Sequence, residues 1–425
     1  MSTTTLAVHP KLAALFGALD QAGARWCVLR GESDLLHPAG DVDLLIAPED
    51  ARHLRDSASR LGFARLPAWG YGSHAFFLAY DASRDLWIKL DAVTELAYGP
   101  GFTLATRAES ECLARRRHVA GVPVLDESDA FWTLLLHRLL DKSGPPPARD
   151  AERLAELASR GPTDGPLERL VASLCPEGWD TARITGAVER GEWSALAELA
   201  APLRASWRKA RQADVRRREI AGRLWHWSGK WLRLSRRAGV SVALLGPDGA
   251  GKSTLAAELE SRFYLPVRSV YMGLYQNPAP RRSRRLRPVP RSAKRVATQW
   301  GRWLEGAYHR RRGRLVVFDR YTYEALVPNR FQHGRRGRAR RWVLGHSCPP
   351  PDLAVLLDAP SDVLYSRKGE HDLVLLERQR EAYRALLRRL PRSVVVDASD
   401  DLERVRPEVT AAIWREYVRR WSPRD

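Results

Sequence analysis

Nine residues constrain this chain more than any others. Gly246, Pro247, Asp248, Gly249, Ala250, Gly251, Lys252, Ser253 and Thr254 satisfy G-x-x-x-x-G-K-[ST] without a gap. They stand between an apolar run at 240–245 (VSVALL) and an amphipathic segment, LAAELESRF. Glycines in such a loop let successive backbone N–H groups turn inward around a phosphate, where any Cβ would obstruct the approach. The helix that follows adds partial positive charge at its N-terminus. Lys252 can then reach the outer phosphates, and Ser253 offers a hydroxyl to Mg²⁺. The expected ligands are ATP and Mg²⁺.

The run before the loop is apolar without alternation, as in a parallel strand covered on both faces. Similar runs recur at 315–318 (LVVF), 353–357 (LAVLL) and 394–396 (VVV), separated by arginine-rich segments at helical spacing. Strands alternating with helices predict an α/β domain with a parallel sheet over 239–425. Asp319 and Arg320 directly follow LVVF. An Asp at the carboxyl end of a parallel strand sits where ligands bind in open α/β sheets. It can hold Mg²⁺ or polarise an acceptor oxygen, while Arg320 can bind an acceptor phosphate. After the third run, LLDAPSDVLYSRKGE carries Arg367 and Lys368 in a charged stretch that can close over the phosphates.

With these residues in view, the stretch from about 240 to 415 resembles the thymidylate kinase family of P-loop nucleoside monophosphate kinases. GPDGAGKST resembles its phosphate loop, FDRY its DR motif, PDLAVLLDAPSDVLYSRK its strand-to-lid segment, and VVVDASDDLERV the segment beside the adenine. The resemblance implies a parallel sheet flanked by helices, with Lys252, Asp319, Arg320 and a lid arginine as catalytic residues. Gly249 occupies a place where some members carry a catalytic arginine, which favours Arg367, or a neighbour such as Arg378, as the lid arginine. Asp248 corresponds to an acid that approaches the acceptor's sugar. No T-R-E-P-G stretch follows the first helix; the chain reads VRSVYMGLYQNPAPRRSRRLRP instead, and TYEALVPNRF follows the DR motif.

The first half reads differently. Helical spacing of Leu12, Leu15, Phe16 and Leu19 precedes strand patterns at 26–29 (WCVL), 42–46 (VDLLI), 76–80 and 86–90, with a helix expected over 49–61. Asp41 and Asp43 flank Val42, so alternation puts both carboxylates on one face of a strand. Asp91 ends another strand pattern, LWIKLDA. Two such acids and a third from a neighbouring strand make a clamp for one or two Mg²⁺ ions. With Gly31 as a close-approach turn ten residues earlier, the pattern over about 10–140 resembles the minimal nucleotidyltransferase family. That resemblance implies an α+β domain with Asp41, Asp43 and Asp91 as metal ligands and catalytic residues. Gly31-Glu32 stands where the family carries Gly-Ser. His74, His137 and His346 lack ligand-spaced partners and read as structural.

From 127 the pattern is helical, with Ser128 as the expected N-cap of SDAFWTLLLHRLLDK. The expected division is 1–125, a helical extension and basic linker at 126–238, and 239–425. The linker holds Trp225, Trp227 and Trp231 among arginines; it reads as a connecting helix, with a membrane-surface helix as the alternative. The chain carries a formal charge of +20, and only 8 of its 70 basic residues are lysine. Arginines cluster at 216–218, 281–295, 310–314 and 335–341, so nucleic acid is one expected partner. The others are a nucleotide or phosphorylated small-molecule acceptor and, as an assembly, a second copy in a homodimer. Four scattered cysteines without a CxxC pair suggest neither zinc nor a disulfide framework, and no run is long enough to span a membrane. A reducing cytoplasm is the expected location.

These readings converge on an ATP-dependent phosphotransferase with a nucleoside monophosphate, dTMP by default, as acceptor, fused to a nucleotidyltransferase-like module. A kinase of a sugar or polysaccharide precursor, a polynucleotide-end kinase and a non-catalytic ATP-binding regulator remain open alternatives.

Overall fold

A computed structural model describes residues 7–31, 34–66, 73–142, 144–161, 163–236, 239–274, 291–328, 335–369 and 372–421, with backbone alone at 225–236, 291–293 and 335–336. The chain forms two compact units. One comprises Met1–Ala79 with Ile88–Arg233, the other Tyr80–Trp87 with Leu234–Asp425.

The first unit is built on a mixed sheet. Its strands are β1 (Trp26–Arg30), β2 (Val42–Ile46), β3 (Ala64–Arg65), β4 (His74–Asp81), β5 (Leu86–Val93), and, after a two-stranded ribbon of β6 (Ala97–Tyr98) and β7 (Leu104–Ala105), β8 (Arg117–Val119) and β9 (Val122–Val124). The order is β3-β4-β5-β2-β1-β9-β8. β1 pairs antiparallel with β2, and β2 runs parallel to β5 with Asp43 level with Asp91. Helices α1 (Pro10–Gln21) and α2 (Ala51–Arg60) carry the N-terminal part. α1 buries Leu12, Leu15, Phe16 and Leu19, the stripe its spacing predicts, and Phe16 packs on Trp26 of β1 at 4.6 Å between ring centres.

The alternate residues of β1, Cys27 and Leu29, join a second core with Phe131, Trp132, Leu157, Leu203 and Trp207. That core is supplied by α3 (Glu109–Arg115), α4 (Glu127–Leu136), α5 (Ala148–Ala158), α6 (Pro166–Ala172), α7 (Thr181–Glu189), α8 (Trp193–Ala210) and the start of α9 (Gln212–Arg236). The helices after 126 therefore share one hydrophobic interior with the sheet. α4 begins two residues earlier than expected. Asp126, not Ser128, is its N-cap, and the carboxylate accepts the Ser128 amide at 3.2 Å. Its last turn, His137–Asp141, widens to a π turn. The three tryptophans of the linker lie on α9, but their side chains are outside the described ones.

The second unit holds a five-stranded, all-parallel sheet. β10 (Ser241–Leu245), β11 (Val267–Tyr271), β12 (Leu315–Asp319), β13 (Leu353–Asp358) and β14 (Ser393–Asp397) are ordered β11-β12-β10-β13-β14. The helices are α10 (Lys252–Arg262), α11 (Arg291–Arg311), α12 (Arg335–Gly345), α13 (Ser361–Lys368), α14 (Leu373–Leu387) and α15 (Leu402–Trp421). β10, β12 and β13 are buried along their whole length, which is why their sequences show no alternation. β11 escaped the sequence reading because it is an edge strand in which only Val270 is buried. β14, the other edge, leaves Val395 half exposed despite its apolar run. From β10 the chain first builds one side of the sheet and later, through β13, the other. The strand order thus reverses at β10, the kind of switch point outside whose carboxyl ends ligands bind in open α/β sheets.

Among the described residues no helix is long and apolar enough to cross a membrane.

Candidate functional site

The loop from Gly246 to Gly251 leaves the carboxyl end of β10, where the strand order reverses, and its shape comes from local chemistry. Gly246, Gly249 and Gly251 have φ of +143°, +89° and +83°, a backbone region that L side chains rarely adopt. At two of them packing adds a second constraint. A Cβ on Gly246 would lie 2.5 Å from the carbonyl oxygen of Leu357, and one on Gly249 would lie 2.6 Å from that of Leu364. Gly251 then serves as the N-cap of α10, so the first amides of the helix face the loop.

Lys252 begins that helix almost fully buried, with Nζ donating to the carbonyls of Gly246 at 2.8 Å and Pro247 at 2.7 Å. Burial, reinforced by the charge of Arg320, pushes its ammonium down to about 8. Ser253 donates its hydroxyl to Asp319 Oδ2 at 2.6 Å. The other oxygen of Asp319, Oδ1, is buried and has no hydrogen-bond partner among the described residues. A buried carboxylate oxygen without a partner is costly unless a cation or donor completes it. Thr254 lies exposed on the first turn of α10.

Asp248 is the charged hub of the loop. Its Oδ1 accepts Arg320 Nη2 at 2.7 Å and lies 3.9 Å from Lys252 Nζ and 4.0 Å from Lys368 Nζ. Burial favours its neutral form, but the three cations outweigh that and hold the carboxyl below its usual range. Arg320 also donates through Nη1 to Glu324, so both terminal nitrogens face carboxylates. It does this from a left-handed backbone, φ +69°, which for a non-glycine residue is strain of the kind found beside ligand sites. Arg367 lies at the end of α13 but donates to the carbonyls of Ala398 (2.6 Å), Ser399 (2.9 Å) and Asp400 (3.2 Å). Arg378 is exposed on α14.

Two residues of this site had no motif to reveal them. Glu324 sits four residues after Arg320 on a short 3-10 turn and also accepts the Leu274 amide at 3.3 Å. Asp358 ends β13 beside the loop and is gripped by Arg380 Nε at 2.9 Å and Arg384 Nε at 3.0 Å. An i, i+4 arginine pair on a helix after an acidic strand end is the only trace such a clamp leaves in a sequence.

In the first unit Asp43 and Asp91 lie level on neighbouring strands, and each of the three predicted acids has a base of its own. Asp43 accepts Arg30 Nε at 2.9 Å and lies 2.7 Å from its Nη2. Asp91 has His74 Nδ1 at 2.9 and 3.2 Å from its two oxygens. Asp41, just before β2, accepts Lys89 Nζ at 2.5 Å. Burial raises the Asp43 carboxyl; Arg30 opposes the shift, and the charges of Asp91 and Asp41 add to it. Among the described residues no three His, Cys, Asp or Glu side chains stand together as a metal-holding group. Gly31 adopts φ +82°, while Glu32 and Ser33 lie outside the described residues. His74, which the spacing marks as structural, is thus bound to one of the predicted acids.

Several clustered arginines are engaged within their own unit. Arg218 pairs with Glu95, and Arg310 with Asp352. Residues 281–290 and the side chains of 291–293 and 335–336 lie outside the described ones. The four cysteines form no disulfide, and Cys27, Cys112 and Cys348 are buried.

The residues around Ser253 fit Mg²⁺ with a bound triphosphate. Mg²⁺ is commonly held by one or two protein oxygens plus substrate phosphates, and here a hydroxyl, a carboxylate with an unpartnered oxygen and a glycine cradle adjoin. The acids of the first unit do not fit a metal in the same way, because each carboxylate already faces a basic partner. No protein-family profile matches this chain, and no curated protein matches it.

Proposed function

We propose that the second unit is an ATP-dependent phosphotransferase of the thymidylate kinase type, passing the γ-phosphate to a nucleoside monophosphate with dTMP as the default acceptor. One observation carries the reading: Ser253 and Asp319, from two elements joined only by the fold, meet at 2.6 Å beside a glycine loop that leaves no room for a Cβ at Gly246 or Gly249. Loop amides and Lys252 would hold the phosphates, and Ser253 with Asp319 would hold Mg²⁺. The metal would neutralise charge on the transferring group. Arg320, at the mouth of the loop, would orient the acceptor.

A second reading, a hydroxyl-bearing acceptor such as a sugar precursor, is favoured by the engagement of both terminal nitrogens of Arg320 with Asp248 and Glu324. A phosphate acceptor would have to displace one of those carboxylates. For the first unit the nucleotidyltransferase-like resemblance is retained as fold kinship, supported by Asp43 and Asp91 lying level on parallel strands. We place the protein in a reducing cytoplasm, consistent with its unpaired cysteines.

The test is ADP formation from Mg·ATP across nucleoside monophosphates, a sugar set and a 5′-hydroxyl oligonucleotide. Stimulation by dTMP supports the default acceptor, and stimulation by sugars or the oligonucleotide alone moves the acceptor class. No ATP binding and no turnover with any of them would sink the proposal.

A further inference from the structure

The helical run of α8 and α9 is broken once. The break falls at Arg211, the C-cap of α8, whose backbone (φ −126°, ψ 39°) leaves the helical region before α9 starts at Gln212. A cleft of about 560 Å³ opens there, lined by Arg107, Arg211, Gln212, Asp214, Arg217 and two alanines. Its volume falls within the roughly 300–1,000 Å³ of small-ligand sites.

The arginines at this cleft come from three different stretches of backbone. Arg211 turns Nη1 onto the carbonyls of Ala105 at 2.9 Å and Thr106 at 3.2 Å, so it clasps the turn that follows β7. The next residue of that turn is Arg107, with φ +58°. A left-handed backbone is strained for a long side chain, and such strain gathers beside ligand sites. From this turn Arg107 Nη2 lies 3.4 Å from Asp214 Oδ2, and Arg217 Nη2 donates to Asp214 Oδ1 at 3.1 Å. Arg218 approaches the same carboxylate at 3.5 Å but is matched by Glu95. Burial favours the neutral form of Asp214, yet Arg218, Arg107 and Arg217 outweigh it and hold the carboxyl below its usual range.

Three arginines therefore line the cleft against one acid. Arg107 and Arg217 are each more than half exposed. One carboxylate thus fixes two guanidiniums side by side, and each keeps further N–H donors. Paired guanidinium forks suit the oxygens of a phosphate. Ile220 and Leu224 continue the Arg217 face of α9 at i+3 and i+7 and are exposed, so an organic group carried by that phosphate would meet apolar surface.

We propose that this cleft binds a compact phosphate-bearing anion through Arg107 and Arg217, with Asp214 and Arg211 fixing their positions. The site uses none of Asp41, Asp43 and Asp91, and it is independent of the phosphotransferase reading of the second unit. A free phosphate ester and a lipid headgroup share this chemistry, and the experiment separates them.

The full chain is titrated with inorganic triphosphate by calorimetry, in a Lys252→Ala background that removes binding at the glycine loop. Arg107→Gly and Arg217→Ala together should weaken triphosphate binding by at least about tenfold, the scale of one lost charge-assisted hydrogen bond. Arg169→Ala, an exposed arginine paired elsewhere with Glu111, should leave it within about twofold. Arg107→Gly alone should lower affinity while the melting temperature holds or rises, because glycine adopts φ +58° without strain. Its loss of binding is then not a loss of fold.

Triphosphate affinity that stays within twofold in the double variant overturns the proposal, and so does a folded Lys252→Ala chain that binds no triphosphate. Flotation with phosphatidic acid vesicles, absent with phosphatidylcholine alone and lost in the double variant, supports the site and assigns it to a lipid headgroup. Triphosphate binding without flotation supports it and assigns a free phosphate ester. A single-stranded oligonucleotide that binds about a hundredfold tighter than triphosphate, and loses that binding in the double variant, overturns the compact anion in favour of a nucleic-acid groove. Failure of the phosphotransferase reading would leave all of these results unchanged.

Discussion

Both units set carboxylates on parallel strands, yet the two sets differ in what surrounds them. In the first unit Asp43, Asp91 and Asp41 each face a base, Arg30, His74 and Lys89, so charge is matched residue by residue. In the second, Asp319 is buried with one oxygen bonded to Ser253 and the other bonded to nothing described, while Lys252, Arg320 and Lys368 gather on Asp248 of the loop. Matched acids are satisfied by the fold itself. A buried oxygen left unmatched is costly unless something else completes it. The position of an acid in a sheet is thus a weaker guide to its chemistry than whether the fold has already satisfied it.

The comparison breaks most sharply at Lys252. Lys252→Ala should lower ADP formation at least about a hundredfold while the melting temperature holds, since on the proposed reading the lost group serves the phosphates. A melting transition that collapses with activity would mean the lysine serves the fold, like the bases of the first unit. Next comes the loop backbone. Gly246→Ala combines a left-handed φ with a Cβ 2.5 Å from a backbone carbonyl, and it should cost about 3 kcal/mol, seen in denaturant unfolding.

The depressed ammonium of Lys252 gives a pH signature. Its cation is complete well below pH 8 and is lost as pH rises through about 8 in the free protein. A bound polyanion favours the cation, so affinity for an ATP analogue should hold level below about pH 7 and then fall by up to about tenfold per unit above 8. Affinity that stays flat from pH 7 to 10 would show that burial does not depress this lysine.

The first unit should respond in the opposite sense. Asp43→Ala leaves Arg30 without its partner in a half-buried setting and should cost about 2 kcal/mol of stability with no change in ADP formation. Loss of turnover would mean that the two units do not act independently. The smallest effect belongs to Asp41→Ala. Its pair with Lys89 is partly exposed, so at most about 1 kcal/mol is expected, with turnover again unchanged.

Much of the second unit was legible because its information is local. The glycine loop at 246–251 spells its own conformation through three glycines, and β10, β12 and β13 declare double-sided burial through unbroken apolar runs. β11 was not legible, because an edge strand with one buried residue carries neither alternation nor a run. The N-cap of α4 was missed by two residues because Asp126 and Ser128 are both good caps, and only the backbone decides between them. In the first unit, the helices after 126 share a core with the sheet through Phe131, Trp132 and Trp207, a partnership that no periodicity within those helices could disclose.

By itself, then, the sequence determined the parts that depend on neighbours in the chain: the loop's backbone, the buried parallel strands, the helix that follows Gly251, and the presence of Asp319 at a strand end. Only the tertiary structure decided which charges are matched. Ser253 reaches Asp319 across 66 residues, Arg320 reaches Asp248 across 72, and Arg367 reaches its carbonyls across 31 to 33. Spacing within a helix or strand reports contacts over a turn or a pleat. Pairings at this range are set by strand order, and strand order is the outcome of packing the whole unit.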